Sequence, residues 1–155
     1  MSFLERLCCT LNSKGIKYAI VGGHAVALHG AVRGTVDVDF VIAWSHQALS
    51  NVEACLNSIG LVSRLPISAD DVFYFRDEYI NARNLIAWNF YNPQNLTEQV
   101  DVIISYDLSI RSIDNMVVGD TAVPVLKLNR LIDMKRESAR EQDLFDIDAL
   151  ERLKK

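Results

Sequence analysis

The sequence is short of several features that would assign a role at once. It has only three cysteines, Cys8, Cys9 and Cys55, in 155 residues. Their number is odd and two are adjacent, which argues against a disulfide framework. Vicinal cysteines also lack the Cys-x-x-Cys spacing of a redox pair. No ligand pairs recur at the spacing of a zinc site. Buried free thiols in a reducing compartment are therefore expected. Positive charge is not in excess: 16 Lys and Arg face 20 Asp and Glu, a net charge of -4. No overall basic field is available to hold long nucleic acid non-specifically, although a local patch or a metal-mediated contact stays open. No apolar run is long enough to span a bilayer, and the N-terminus has no signal core. A cytoplasmic protein without membrane contact is expected. Repeats, low-complexity segments, a Gly-x-Ser-x-Gly elbow and a Walker loop are likewise missing.

What is present is the composition of a globular domain, 50% hydrophobic and 23% charged. The length suits a single domain over residues 1–155, with a core at about 16–105 and a helical C-terminal part at about 126–155. The pattern predicts an α/β (α+β) class: a short mixed sheet flanked by helices. Ser2 and Glu5 form a capping box for a first helix that ends at Gly15. Lys17–Val21 reads as a strand, Gly22-Gly23 as a tight turn, and His24–Gly30 as a short helix. A second strand carries Val36, Val38, Phe40 and Ile42 on one face. Ser45 caps a helix running to about Asn57, with Gly60 as its stop. Leu61–Leu65 is a short strand. Residues 68–83 begin like a helix, but Phe73-Tyr74-Phe75 leaves a strand open. Strands at Leu85–Tyr91 and Gln99–Ser105 flank a turn at Asn92–Asn95. Met116–Val118, Gly119-Asp120 and Thr121–Val125 form a hairpin, and Pro124 places its strand at an edge or an end. Two helices follow, broken at Ser138–Arg140. Leu144, Ile147, Leu150 and Leu153 are the expected buried stripe of the last one.

The chemistry concentrates in the second strand. Successive strand residues point to opposite faces, so Asp37 and Asp39 share the face opposite the apolar set. Two neighbouring carboxylates repel and cost desolvation, unless water, a basic group or a divalent cation lies between them. Asp101 interrupts the strand of Val100, Val102 and Ile104 in the same way. By itself it is equally a solvated edge residue. Glycines 22 and 23 let a phosphate approach backbone N–H groups, and the following helix aims its positive end there. Arg33, in the loop before the strand, contacts phosphate, pairs with a carboxylate or is simply solvated. His24 and His29 are five apart, which does not put them on one helical face, and His46 has no evident partner.

A Gly-Gly turn, a short helix and an Asp-x-Asp strand together resemble the nucleotidyltransferase superfamily that includes DNA polymerase beta. "VGGHAVALHG" with "RGTVDVDF" looks most like its small AbiEii-type (MNT-type) members. The resemblance covers most of the chain. It implies a metal-dependent transfer of a nucleoside monophosphate from a triphosphate to an acceptor. Asp37, Asp39 and Asp101 would be the catalytic and Mg2+ (or Mn2+) ligands, Asp101 being the third carboxylate. Gly22, Gly23, His24 and Arg33 would line the nucleotide site. In "LNRLIDMKRESAREQDLFDIDAL", Lys135, Arg140 and Asp143 match the family's tail, and Lys127 or Lys135 would meet phosphate. A solvated helix face with an Arg140–Asp143 pair is the alternative. The implied acceptor is RNA or a protein hydroxyl in a toxin–antitoxin setting. A small molecule, as in antibiotic nucleotidyltransferases, is the next choice. A non-catalytic binding or antitoxin module is the reading from a different class. The length leaves no room for a separate acceptor-binding domain, so a partner protein or a homodimer is expected to add that surface.

Overall fold

The computed structural model describes residues 1–31, 36–138 and 140–154. Among them, seven α-helices and a seven-stranded mixed sheet alternate along the chain. α1 (Phe3–Ser13) starts at Ser2, whose side chain and Glu5 cap each other reciprocally. β1 (Tyr18–Val21) runs straight into α2 (Gly22–Leu28), which begins at the first glycine rather than at His24. β2 is Val38–Ile42 and α3 is His46–Ser58, capped by Ser45 as expected. The strand expected at Leu61–Leu65 shrinks to β3 (Val62–Ser63). α4 (Ala69–Tyr74) and α5 (Arg76–Arg83) follow, so Phe73 and Tyr74 are helical and no strand forms. The reciprocal cap between Ser68 and Asp71 decides this in favour of the helix. β4 (Ala87–Asn92) and β5 (Asn95–Asp107) make one hairpin, β6 (Ile113–Val118) and β7 (Thr121–Leu126) another. The chain closes with α6 (Leu128–Ser138) and α7 (Glu141–Leu153).

The sheet order is β3-β4-β5-β2-β1-β7-β6. β2 runs antiparallel to β1 and parallel to β5, and these central strands set the site's geometry. One sheet face carries Tyr18, Ile20, Phe40, Ile42, Val102, Trp88 and Phe90, all buried. α1 covers it, the Tyr18 hydroxyl donating 2.8 Å to Asn12. α3 lies alongside α1. Phe40 stands edge-on to Tyr18 at 5.9 Å. Full burial of such side chains contributes roughly 1.5–3 kcal/mol each. α6 faces the other side of the sheet, where the acidic residues point. No helix of the described residues is long and apolar enough to cross a membrane.

Four expectations change here. Val36 precedes the strand and is exposed, so the apolar face starts at Val38. Pro124 sits in an interior strand, not at an edge: β7 lies between β1 and β6. Its pairing with β1 registers at Ile20–Val125 only, so the missing N–H costs little. His46 does have a partner, Asp70, at 2.5 Å. In α7, Leu144 and Leu153 are largely exposed, while Asp143 and Asp146 are buried with Leu150. The periodicity does make a helix, but its inward face is charged because Lys135 stands opposite it.

Candidate active site

The site is built on one row across the sheet. Val21 registers with Asp39, Asp39 with Asp101, and Asp101 with Asn89. Parallel pairing of β2 with β5 therefore puts Asp39 and Asp101 side by side, where the charge of each acts on the other. Burial first, then the charges of Asp101 and Asp37, push Asp39 up to about 7, against the opposing pull of Lys135. Asp37 is raised as well, by burial and by Asp101, while Arg64 and His24 oppose the shift. All three sequence-selected carboxylates thus fall within one electrostatic cluster.

Gly22 closes the cluster from the side of β1. Its φ is +66°, a region costly to other residues, and a Cβ there would lie 2.9 Å from Asp39 Cγ and closer still to Oδ2. The glycine is thus needed twice, for the turn and for the carboxylate's approach. Gly22→Ala is expected to lose about 2 kcal/mol of stability, or about 4–8 °C in melting temperature. It should also lose ligand binding, because Asp39 must move. A thermal melt indistinguishable from wild type would refute this packing.

A cavity of about 260 Å³ opens beside Asp39. Its lining combines Gly22, Asp39, Lys135, Ser138, Arg140 and Asp143 with the apolar Ile86, Ile103, Leu131 and Met134. Lys135 is 6% exposed and contacts Asp146 at 3.0 Å and Asp143 at 3.6 Å. Asp143 is buried, which favours its neutral form, yet hydrogen bonds from Arg140 and Ser138 overcome this and lower it to about 2. Arg140 and Asp143 thus form a pair, but one side of it is buried against Lys135 rather than solvated.

Not every selected residue converges. Lys127 is exposed and lines a second depression with Tyr106, Arg130 and Asp133, while it is not among the residues lining the cavity beside Asp39. Gly23 is buried in the first turn of α2 and shapes the helix start. His24 lies near enough to Asp37 to act on its charge. Arg33 lies outside the described residues. Three residues that sequence patterns do not single out stand in the cluster: Arg64, Asn89 and Asp146. Asp146 had a signal, since it is one helical turn beyond Asp143. Arg64 and Asn89 had none, because only strand pairing brings them near.

Among the described residues no three His, Cys, Asp or Glu side chains form a ready-made metal cage. Magnesium does not need one, since one or two carboxylates plus substrate phosphates suffice. Asp39 and Asp101 fit that requirement: they are adjacent, oxygen-only ligands in register on neighbouring strands.

No family model matches the chain, and no curated protein matches its sequence. Solved structures do match its shape. The antibiotic-resistance factor ANT(2'')-Ia superposes with a TM-score of 0.64 over 96% of this chain and 80% of its own, at 11% identity. The lincomycin-bound lincosamide adenylyltransferase LnuA gives 0.61 over 92% and 90%, at 13% identity. An antigenic nucleotidyltransferase-like protein from Paracoccidioides brasiliensis gives 0.59 over 95% and 72%, at 18% identity. With the mixed sheet and its flanking helices, this likeness establishes that the chain has a nucleotidyltransferase fold.

Proposed function

We propose that this protein is a metal-dependent nucleotidyltransferase, acting as one domain in the cytoplasm. It moves a nucleoside monophosphate from a nucleoside triphosphate to a hydroxyl acceptor and releases pyrophosphate. The observation that carries the proposal is the in-register Asp39–Asp101 pair pressed against Gly22. A Mg2+ or Mn2+ ion held there supplies neutralisation of the triphosphate and of its anionic transition state. Asp37 and Asp39 would hold it, and Asp101 would complete the set and accept the acceptor's proton. Gly22 leaves room for the phosphates to approach the backbone. Lys135 and Arg140 bring positive charge to the same cavity.

Of the acceptor classes, a small molecule is the one that observations favour. The net charge of -4 supplies no field for a large RNA. One structural neighbour is by name an antibiotic-resistance factor, and another is a lincosamide antibiotic adenylyltransferase. The test is incubation with α-labelled triphosphates, Mg2+ and a cell extract, followed by fractionation. Label should enter the small-molecule fraction with stoichiometric pyrophosphate, and Asp101→Asn should abolish the transfer. Label in RNA or protein would move the protein to the toxin–antitoxin reading, with a macromolecular acceptor or a partner chain. No pyrophosphate with any triphosphate, together with equal nucleotide binding by wild type and Asp101→Asn, would leave only a non-catalytic module.

A further inference from the structure

We infer that Asn89 and Arg64 are positioning residues that fix the carboxylate of Asp101 for cation binding, an inference resting on the nucleotidyltransferase reading above. Asp101 has Asp39 on one side and Asn89 on the other. Asn89 Nδ2 donates to Asp101 Oδ1 at 2.8 Å. The amide could in principle present either its oxygen or its nitrogen, and only the nitrogen suits a carboxylate. Arg64 settles the choice. Its Nε donates to Asn89 Oδ1 at 2.7 Å, and a guanidinium can only donate. The amide nitrogen is thereby turned toward Asp101.

Arg64 is itself held in place, although its side chain is exposed. Its backbone N–H donates to the Asn89 carbonyl at 2.9 Å. Its guanidinium lies 4.5 Å from the Tyr91 ring centroid, and Nη2 donates to Gln99 Oε1 at 3.3 Å. Trp88 Nε1 donates to Ser63 Oγ at 2.9 Å and anchors β3 beside β4. The two-residue strand β3 thereby delivers Arg64 to the carboxylate row. Outer partners of this kind orient a ligand oxygen and typically tune cation affinity about 10–100-fold.

The experiment is a titration with Mn2+ alone, followed by electron paramagnetic resonance, on the full chain and its variants. Asn89→Leu is expected to weaken Mn2+ binding about tenfold, Arg64→Ala less, and Arg64→Lys least of all. The double variant of Asn89→Leu with Arg64→Lys should bind as Asn89→Leu does, because lysine keeps the charge that acts on Asp37 and Arg64 otherwise acts through Asn89. In nitrogen-edited NMR of wild type, the Asn89 side-chain amide should shift on Arg64→Ala and on Asp101→Asn. If Asn89→Leu does not fold, Arg64→Ala, changed at an exposed side chain, carries the test. Wild-type affinity in Asn89→Leu or Arg64→Ala, with loss in Asp101→Asn, overturns the relay alone. Additive effects of the two substitutions overturn it too. No Mn2+ binding by wild type overturns the nucleotidyltransferase reading and the relay together.

Discussion

The metal-free Asp39→Asn protein is expected to melt higher than wild type at pH 8 while losing nucleotidyl transfer by at least about 10³-fold. The two effects share one cause. Asp39 is raised from 3.8 to about 7 by burial and by the neighbouring charges of Asp101 and Asp37. Between those values the folded chain keeps a proton that the unfolded chain has released. Stability from this group is therefore full below pH 4, falls as pH rises to about 7, and stays low above it. Asparagine keeps the shape without the charge. It should restore about 2 kcal/mol at pH 8, or about 4–8 °C. The lost activity follows because a neutral amide cannot supply the anionic oxygen that gathers charge for the transition state. The measurement is a set of thermal melts from pH 4 to pH 8 with chelator, beside a pyrophosphate-release assay. A variant that melts below wild type at pH 8 would show that Asp39 is not strained by its neighbours. A variant retaining transfer would remove it from the chemistry.

Lys135→Met should cost about 3–5 kcal/mol, the usual loss when one side of a buried charge cluster is removed. In a chain of this size that is about 6–20 °C in melting temperature. Lys135 is buried between α6 and α7 and serves Asp146 and Asp143 at once. Methionine fills the volume but brings no charge, so the two carboxylates lose their shared ammonium. Lys135→Met with Asp146→Leu should recover much of the loss, because the charge and its counter-charge then leave together. Calorimetric unfolding of the single and double variants checks both statements. Equal stability of Lys135→Met and wild type would mean that the ammonium does not hold the two helices together. The pH dependence of Asp143, set by its hydrogen bonds from Arg140 and Ser138, runs opposite to that of Asp39. Asp143 is lowered from 3.8 to about 2, so its stabilisation is present above pH 4 and fades as pH falls toward 2. Acid therefore first relieves the carboxylate row, between about pH 7 and pH 4, and only below pH 4 loosens the Ser138–Asp143 contact between α6 and α7.

Much of the protein is decided by local signals along the chain. Ser2 with Glu5 and Ser45 before Ala48 announce helix starts, because a short hydroxyl side chain satisfies a free backbone N–H. The alternation around Asp39 and Asp101 marks two strands, and Gly22 marks a turn that no other residue adopts cheaply. What those signals could not supply was pairing. The row Val21–Asp39–Asp101–Asn89 depends on which strands lie side by side, and residues 39 and 101 meet only because a parallel register brings them level. The same limit explains why no pattern singles out Arg64. It also explains α7, where period alone predicts an apolar inward face and the fold buries two carboxylates against a lysine of α6. Short-range geometry is written in neighbouring residues, whereas the meeting of distant charges is set by how the elements stack.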